Sequence, residues 1–311
     1  MFEKVGVAQL AAMSIYHSSD FILTLPDGHR FPMEKYRQLH DRILQLYPSQ
    51  PLLTPPAALE RQLVRVHAPS YVRAVLSGDL SAQAIRRIGF PWSPSLVARS
   101  RHSVGATIAA GRAAAQTGRG INLAGGTHHA AREYGAGYCV FNDIAVASRA
   151  MQTERRAQHI LVLDFDVHQG DGTASIFADD ESVCTVSVHG EKNYPFKKVP
   201  SNLDIALADG ASDDQYLDSI ERAIAFGFTA GRPDLIFYLA GADPFAGDKL
   251  GRLNVSKSGL ATRDQLVFEA ADQAGIGVAT SMGGGYAPQV GDIVDIHLKT
   301  VEIAMGFGAA S

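Results

Sequence analysis

The sequence predicts an α/β fold in which helices cover both faces of a central parallel sheet. From residue 121 onward, short apolar or β-branched runs alternate with segments of helical periodicity, which is typical of βαβ units. In addition, 46% of the 311 residues are hydrophobic and 19% are charged. This is the composition of a globular protein with a substantial buried core.

The predicted elements run through the chain without a linker, an internal repeat or a charge run between them. Residues 1–311 are therefore predicted to form a single domain. A first core strand is expected near residues 14–17. Later strands are predicted at residues 121–123, 160–165, 183–188, 235–239 and 276–280, and helices at residues 33–47, 69–77, 94–116, 142–152, 214–230, 258–274 and 292–305.

Charge and hydropathy argue against several classes of partner. The formal net charge is −4, whereas nucleic acids usually require a basic face, so we predict no direct nucleic-acid binding. Residues 5–13 follow Lys4 and resemble the apolar part of a signal peptide. Because they run directly into the predicted first strand, we interpret them as structure, with Met13 as an alternative start. No later stretch is long enough to span a membrane.

The chain has two cysteines, Cys139 and Cys184, and both lie in apolar segments. This pattern is typical of buried thiols and does not indicate a disulfide framework. It favours a reducing, cytoplasmic location. The sequence gives no sign of the oligomeric state.

Polar residues that can do chemistry follow the predicted strands directly. In a parallel sheet, ligands bind at the carboxyl ends of the strands, so these residues are expected to converge. The segments are GGTHH at residues 125–129, DFDVH at 164–168, GAD at 241–243 and GGGY at 283–286.

The most specific of these segments is residues 164–168. Side chains two apart in a strand point the same way, so Asp164, Asp166 and His168 are expected on one face. Burying three such groups is costly unless a cation or a hydrogen-bond network compensates. Carboxylate and imidazole are both good zinc ligands, and iron(II) or cobalt fits the same set. A third ligand is expected from a neighbouring strand end, where Asp243 is best placed, although taken alone such an aspartate is more often a helix cap or turn residue.

Two further segments provide candidate catalytic groups. His128 and His129 could take a proton from water and steady the leaving group. Asp164 and Asp171 could each hydrogen-bond one of these imidazoles and set its tautomer. Tyr286 follows three glycines, which let the backbone turn tightly and bring its hydroxyl to a developing oxyanion.

Together and in this order, the segments resemble the histone deacetylase family of arginase-like fold, from about residue 15 to 305. The motifs that carry the resemblance are residues 125–129, 137–143 (GYCVFND), 164–172, 240–243 with 246–248, and 283–286. Residues 194–195, 213–218 and 247–251 look most like the class IV branch. The resemblance implies one catalytic domain that hydrolyses the amide of an acyl-lysine with the help of zinc.

Position by position, the resemblance implies a role for each candidate. Asp166, His168 and Asp243 match the zinc ligands. His129, backed by Asp171, matches the general base, His128 is backed by Asp164, and Tyr286 matches the tyrosine that polarises the scissile carbonyl. The implied walls of the lysine tunnel are Gly137, Tyr138 and Tyr194, and the implied ligands of a structural potassium ion are Asp164, Asp166, His168, Ser187 and Val188.

Two departures and several alternatives remain. Many family members carry an acid at the tunnel rim, whereas residues 88–91 read IGFP, and the glycine run before Tyr286 is one residue shorter than in many relatives. The class IV resemblance implies a preference for long fatty acyl groups on lysine. The alternatives are an acetylpolyamine or other small acyl-amine amidohydrolase, an arginase-like enzyme with two manganese ions, and an inactive acyl-lysine binding module.

Overall fold

Eight parallel strands form the centre of the molecule. The computed structural model describes residues 13–307, so the interpretation of residues 5–12 lies outside the described part. The strands are β1 Ser14–Tyr16, β2 Leu52–Leu53, β3 Arg119–Asn122, β4 Ile160–Asp164, β5 Val183–Gly190, β6 Leu203–Leu207, β7 Leu235–Leu239 and β8 Gly277–Ser281. Their order across the sheet is β2-β1-β3-β8-β7-β4-β5-β6, and each neighbouring pair is parallel.

Helices pack against both faces of this sheet, which confirms the predicted fold class. The first face carries α1 Glu34–Leu46, α8 Asp213–Gly231, α9 Lys257–Ala274 and α10 Val290–Gly306. The second face carries α3 Pro69–Ser77, α5 Pro94–Thr117, α6 Asp143–Thr153 and α7 Asp171–Phe177. The short helices α2 and α4 span Glu60–Leu63 and Ala82–Ile88. Among residues 13–307, no helix combines the length and hydrophobicity needed to cross a bilayer.

The central strands are apolar because both of their faces are covered. In β4, Leu161 and Leu163 belong to the core on one face, whereas Ile160 and Val162 belong to the core on the other. Continuous apolar runs of this kind are typical of buried parallel strands. Polar caps begin several of the helices: the side chains of Ser93, Asn142 and Ser256 accept hydrogen bonds from backbone amides in the first turns of α5, α6 and α9.

The predicted elements are confirmed to within a few residues, and the structure adds five short ones. Helices α2, α4 and α7 have between four and seven residues, too few for a helical period to stand out. Strand β2 has only two residues. Strand β6 lies at the edge of the sheet and alternates exposed and half-buried residues, so it lacks the continuous apolar run of the inner strands.

Close backbone packing between β3 and α5 yields a test of the fold. A methyl group on Gly120 would fall well inside contact distance of the Ala110 carbonyl, whereas one on Gly291, near the start of α10, would meet nothing within 4 Å. We expect Gly120→Ala to lower the free energy of unfolding by about 1–3 kcal/mol. The matched change Gly291→Ala should leave it unchanged or raise it by up to about 1 kcal/mol. Urea unfolding of both variants checks this, and equal effects would contradict the packing described.

Candidate active site

The polar segments converge at the carboxyl ends of neighbouring strands. Loops after β3, β4, β7 and β8 supply the candidate residues, and these four strands are neighbours in the sheet. Strand β4 ends at Asp164. Contrary to the expectation from the sequence, the positions of Asp166 and His168 are therefore not set by the alternation of side chains along a strand. They lie in the loop that follows, where the His168 backbone amide donates to Asp166 Oδ1 at 2.9 Å.

Asp166, His168 and Asp243 form a buried cluster. Their potential ligand atoms lie within 4.8 Å of one another. The Nδ1 atom of His168 is 3.0 Å from Asp166 Oδ1 and 3.2 Å from Asp243 Oδ2. The backbone amide of Val167 donates to Asp243 Oδ1 at 2.9 Å, which fixes the second carboxylate against the first loop. These are the three residues that the sequence pattern predicts as metal ligands.

The donor set fits a divalent cation. Burial and the neighbouring charge of Asp166 raise the pKa of Asp243. Burial lowers the pKa of an imidazole, yet hydrogen bonds to Asp166 and Asp243 raise that of His168 to about 10. Two buried carboxylates therefore attract positive charge strongly, and one imidazole with two carboxylate oxygens is a suitable ligand set for zinc with an open position.

Two histidine–aspartate pairs stand beside the cluster. His128 Nδ1 lies 2.7 Å from Asp164 Oδ2, and His129 Nδ1 lies 2.6 Å from Asp171 Oδ1. The two imidazole rings are 4.1 Å apart, and the ring of His129 is 6.1 Å from that of His168. Each histidine thus presents its Nε2 edge away from its carboxylate partner.

The two imidazoles differ in charge. Burial lowers the pKa of His128, but Asp164 and Asp166 outweigh it and raise that pKa to about 9. Burial, followed by the nearby charges of His128 and His168, holds the pKa of His129 well below its usual value. Without a bound cation, the surroundings therefore favour the protonated form of His128 and the neutral form of His129.

A buried carboxylate holds the loop that carries both histidines. Asp143, at the start of α6, accepts hydrogen bonds from the backbone amides of Gly126 and Thr127 at 3.1 and 2.7 Å. It also accepts from the hydroxyl groups of Thr127 and Thr107 at 2.7 and 2.6 Å. Sequence reasoning gave Asp143 no role of its own. The sequence feature that could have indicated a role is the position of this carboxylate, directly before the buried apolar residues of α6.

Two other groups that the sequence did not predict hold the Tyr286 loop. Lys35 donates to the carbonyl oxygens of Gly284 and Gly285, and Asp248 accepts from the Tyr286 amide at 2.5 Å. Lys35 occupies the buried stripe of α1 beside Leu39 and Ile43, and a charge on an apolar stripe is a signal in the sequence.

Tyr286 faces the buried cluster. Its ring lies 6.3 Å from that of His168. Desolvation, together with the charges of Asp243 and Asp166, raises the pKa of the Tyr286 hydroxyl well above its usual value. The hydroxyl therefore keeps its proton and can donate a hydrogen bond.

The predicted wall residues line the opening above the cluster. Gly137 and Tyr138 have φ angles of 54° and 66°, and a methyl group on Gly137 would lie 2.6 Å from the His129 ring. The ring of Tyr194 meets that of His129 edge to face at 4.8 Å. Gly137, Tyr138 and Tyr194 share this opening with His129, His168 and Tyr286.

The cavity continues inward past the cluster. The space free of protein atoms in this pocket, including open solvent at its mouth, is about 740 Å³. Apolar side chains, including Leu23, Phe31, Phe90 and Leu96, line much of it. The buried cations Lys35 and Arg99 lie on the same lining.

The residues predicted to hold potassium lie on the adjacent strands β4 and β5 and in the loop that follows β4. Asp164 is the register partner of Ser187, and both Ser187 and Val188 are buried. Asp166 and His168 follow in the next loop.

Comparisons with known proteins agree with the sequence pattern. An uncharacterized protein of Picosynechococcus sp. is 44% identical over 286 residues, which cover 91% of this chain and 95% of that protein. Histone deacetylase 2 of Arabidopsis thaliana is 27% identical over 291 residues, covering 89% of this chain and 75% of that protein. The solved structure of the HDA15 HD domain has a TM-score of 0.81 at 19% identity, over 96% of this chain and 89% of that one, and so shares the fold.

The histone deacetylase domain, as a sequence family, matches residues 29–301. That range contains every element from β2 to β8 and all four loops of the cleft described above. The chain therefore belongs to the histone deacetylase family of hydrolases.

Proposed function

We propose that this chain is a zinc-dependent deacylase that hydrolyses the amide of an acyl-lysine. The observation that carries the proposal is the buried cluster of Asp166, His168 and Asp243 at the inner end of a narrow opening. Two histidine–aspartate pairs and Tyr286 lie beside it. Each of these groups suits one step of amide hydrolysis.

When bound by these three residues, zinc would polarise the scissile carbonyl and lower the pKa of the attacking water. His129, which is neutral, accepts the proton of that water, and Asp171 holds its ring in the required tautomer. The same proton then passes to the nitrogen of the scissile bond as the C–N bond breaks, so that the lysine leaves as a neutral amine. His128, protonated beside Asp164, contributes positive charge next to the reacting centre.

Tyr286 donates its hydrogen bond to the oxygen of the carbonyl as negative charge develops there. The glycine turn and the contacts of its loop with Lys35 and Asp248 preset its position, so little reorganisation accompanies the reaction. The walls formed by Gly137, Tyr138 and Tyr194 would surround the lysine methylenes.

The finer assignments belong to the same proposal. Iron(II) or cobalt suits the same three ligands as zinc. A structural potassium ion is proposed near Asp164, Asp166, His168, Ser187 and Val188, since Asp164 and Ser187 are register partners. The class IV branch remains our assignment, on sequence resemblance. The two free, buried cysteines are consistent with a reducing cytoplasm.

Metal dependence is the first test of the proposal. Chelation is expected to abolish hydrolysis of an acyl-lysine peptide, and added zinc or cobalt is expected to restore it. Asp243→Ala should lose both bound metal and activity, because it removes one of three ligands. Asp214→Ala, an exposed carboxylate in the first turn of α8, is the matched control and should retain both. Full activity of metal-stripped Asp243→Ala protein would refute the proposal.

The role of Tyr286 is the second test. Tyr286→Phe is expected to lower kcat by roughly a hundredfold or more, since one oxyanion donor contributes about 3–4 kcal/mol. His129→Ala should be at least as damaging. Tyr47→Phe removes a hydroxyl that bonds Glu302, away from the cleft, and serves as the control. Steady-state kinetics with one acyl-lysine peptide measures kcat for all three variants. A near-normal kcat for Tyr286→Phe would mean that Tyr286 is not the oxyanion donor and that the glycine turn has only a structural role.

The size of the acyl group follows from the inner cavity. Its lining combines apolar side chains such as Leu23, Phe90 and Leu96 with polar ones, and the stretch at residues 88–91 offers no acid to anchor a peptide backbone. Each buried methylene contributes about 0.8 kcal/mol, so about six added methylenes, from acetyl to octanoyl, contribute roughly 5 kcal/mol before ordering costs. This exceeds the loss of one rim hydrogen bond, at about 1.5–3 kcal/mol. We therefore propose a preference for long acyl chains.

We expect kcat/KM to rise from acetyl-lysine to octanoyl-lysine peptides. Ser100→Phe, which places a ring on the inner lining, should reduce the octanoyl-to-acetyl ratio. Ser95→Phe, on the exposed start of the same helix, should leave that ratio unchanged. If acetyl-lysine or acetylpolyamines are turned over faster than every longer substrate, the long-chain preference is wrong, whereas the amidohydrolase proposal stands.

A further inference from the structure

The mouth of the tunnel carries two arginines. Helix α4 ends at Ile88, and its last turn contains Arg86 and Arg87. Both side chains are exposed, and both line the opening that leads to His129, His168 and Tyr286. Among the described residues that line this opening there is no aspartate or glutamate. A chain whose net charge is −4 thus presents local positive charge where a substrate enters.

Neither arginine is neutralised within the described part of the chain. None of the ion pairs formed among residues 13–307 includes Arg86 or Arg87. The acid next to Tyr134 in sequence, Glu133, pairs with Arg132 at 3.4 Å. The guanidinium of Arg87 lies 4.6 Å above the Tyr134 ring, a cation–π contact that restricts where the charge can go. Arginines are also favoured at a helix C-terminus because they interact with the helix dipole. That preference does not explain why no acidic residue lines the opening.

The end of α4 is attached directly to the tunnel wall. The amide of Gly137 donates to the Arg87 carbonyl at 3.1 Å, and the amide of Tyr138 donates to the Ile88 carbonyl at 2.7 Å. Gly137 in turn packs against the His129 ring. The two guanidinium groups therefore stand at the rim of the same tunnel whose inner end holds the cluster. A group attached close to the Cα of a lysine inserted in that tunnel would meet them.

We propose that Arg86 and Arg87 form a carboxylate-binding subsite at the mouth, so that the preferred substrate carries an acidic group beside its acylated lysine. Guanidinium groups bind carboxylates through charge-assisted, often bidentate, hydrogen bonds. The inference rests on the proposed deacylase function and adds a choice of substrate to it. The carboxylate can come from a flanking Asp or Glu in a peptide or from the α-carboxylate of free Nε-acyl-lysine.

Paired substrates with one fixed acyl group test the subsite. One pair is a peptide with glutamate or alanine on both sides of the acyl-lysine, and the other is free Nε-acyl-lysine and its carboxamide. We expect kcat/KM to be roughly three- to tenfold higher for the acidic member of at least one pair. The pair that responds identifies the source of the carboxylate. Raising the salt concentration to about 0.5 M should weaken the preference, because the charges are exposed.

Substitution of the two arginines then tests whether they cause the preference for acidic substrates. In Arg86→Gln/Arg87→Gln protein the acidic-to-neutral ratio should fall close to one. Arg73→Gln, an exposed arginine of α3 away from the mouth, should keep the wild-type ratio. Fluorescence anisotropy with the labelled peptide pair measures the same preference in binding, without turnover. The thermal unfolding midpoint of each variant verifies folding.

The outcomes separate the two proposals. Hydrolysis of the neutral substrates without any acidic preference overturns the subsite and leaves the deacylase function intact. An acidic preference that survives the double substitution also overturns it. Absence of hydrolysis for every substrate counts against the deacylase function, and the anisotropy ratio then still supports or overturns the arginine subsite.

Discussion

Two carboxylates, Asp166 and Asp243, are held side by side out of contact with water, and the rest of the cleft is organised around this arrangement. Bringing like charges together in a buried site is unfavourable unless positive charge is supplied. The protein supplies part of it through His168 and His128. The remaining attraction is the reason that the site is suited to a small, highly charged cation.

The scaffold keeps this unfavourable arrangement in place by distributing its supports over the fold. Strands β4 and β7 bring the two aspartates together as neighbours in the sheet. Behind them, Arg263 of α9 is completely buried and donates to the Gly241 carbonyl at 2.6 Å, in the loop that leads to Asp243. Asp264 balances its charge and also accepts from Tyr238. This second buried polar network connects α9 to the loop that carries Asp243.

The sequence predicted the sheet, its main helices and the convergence of the polar segments because buried parallel strands and their polar ends leave a pattern that is local in the chain. It did not predict β6, since an edge strand lacks the continuous apolar run. Lys35, Asp143 and Asp248 were missed for another reason. Each of them holds a loop through backbone groups, as in the contact of Lys35 with Gly284 and Gly285 far along the chain. A backbone carbonyl or amide is common to residues of nearly every type. A contact with one therefore leaves no motif in the sequence.

The contact between α1 and the Tyr286 loop links two parts of the fold that differ greatly in their positions along the chain. Lys35 is the group of α1 that donates to this loop, and its ammonium also lies 5.4 Å from the centre of the Tyr286 ring. Release of α1 from the body would withdraw that cation and free the glycine turn while the central strands stayed paired. Local opening of this kind needs less free energy than global unfolding. A displacement of α1 would therefore reach the Tyr286 turn directly, through the Lys35 side chain.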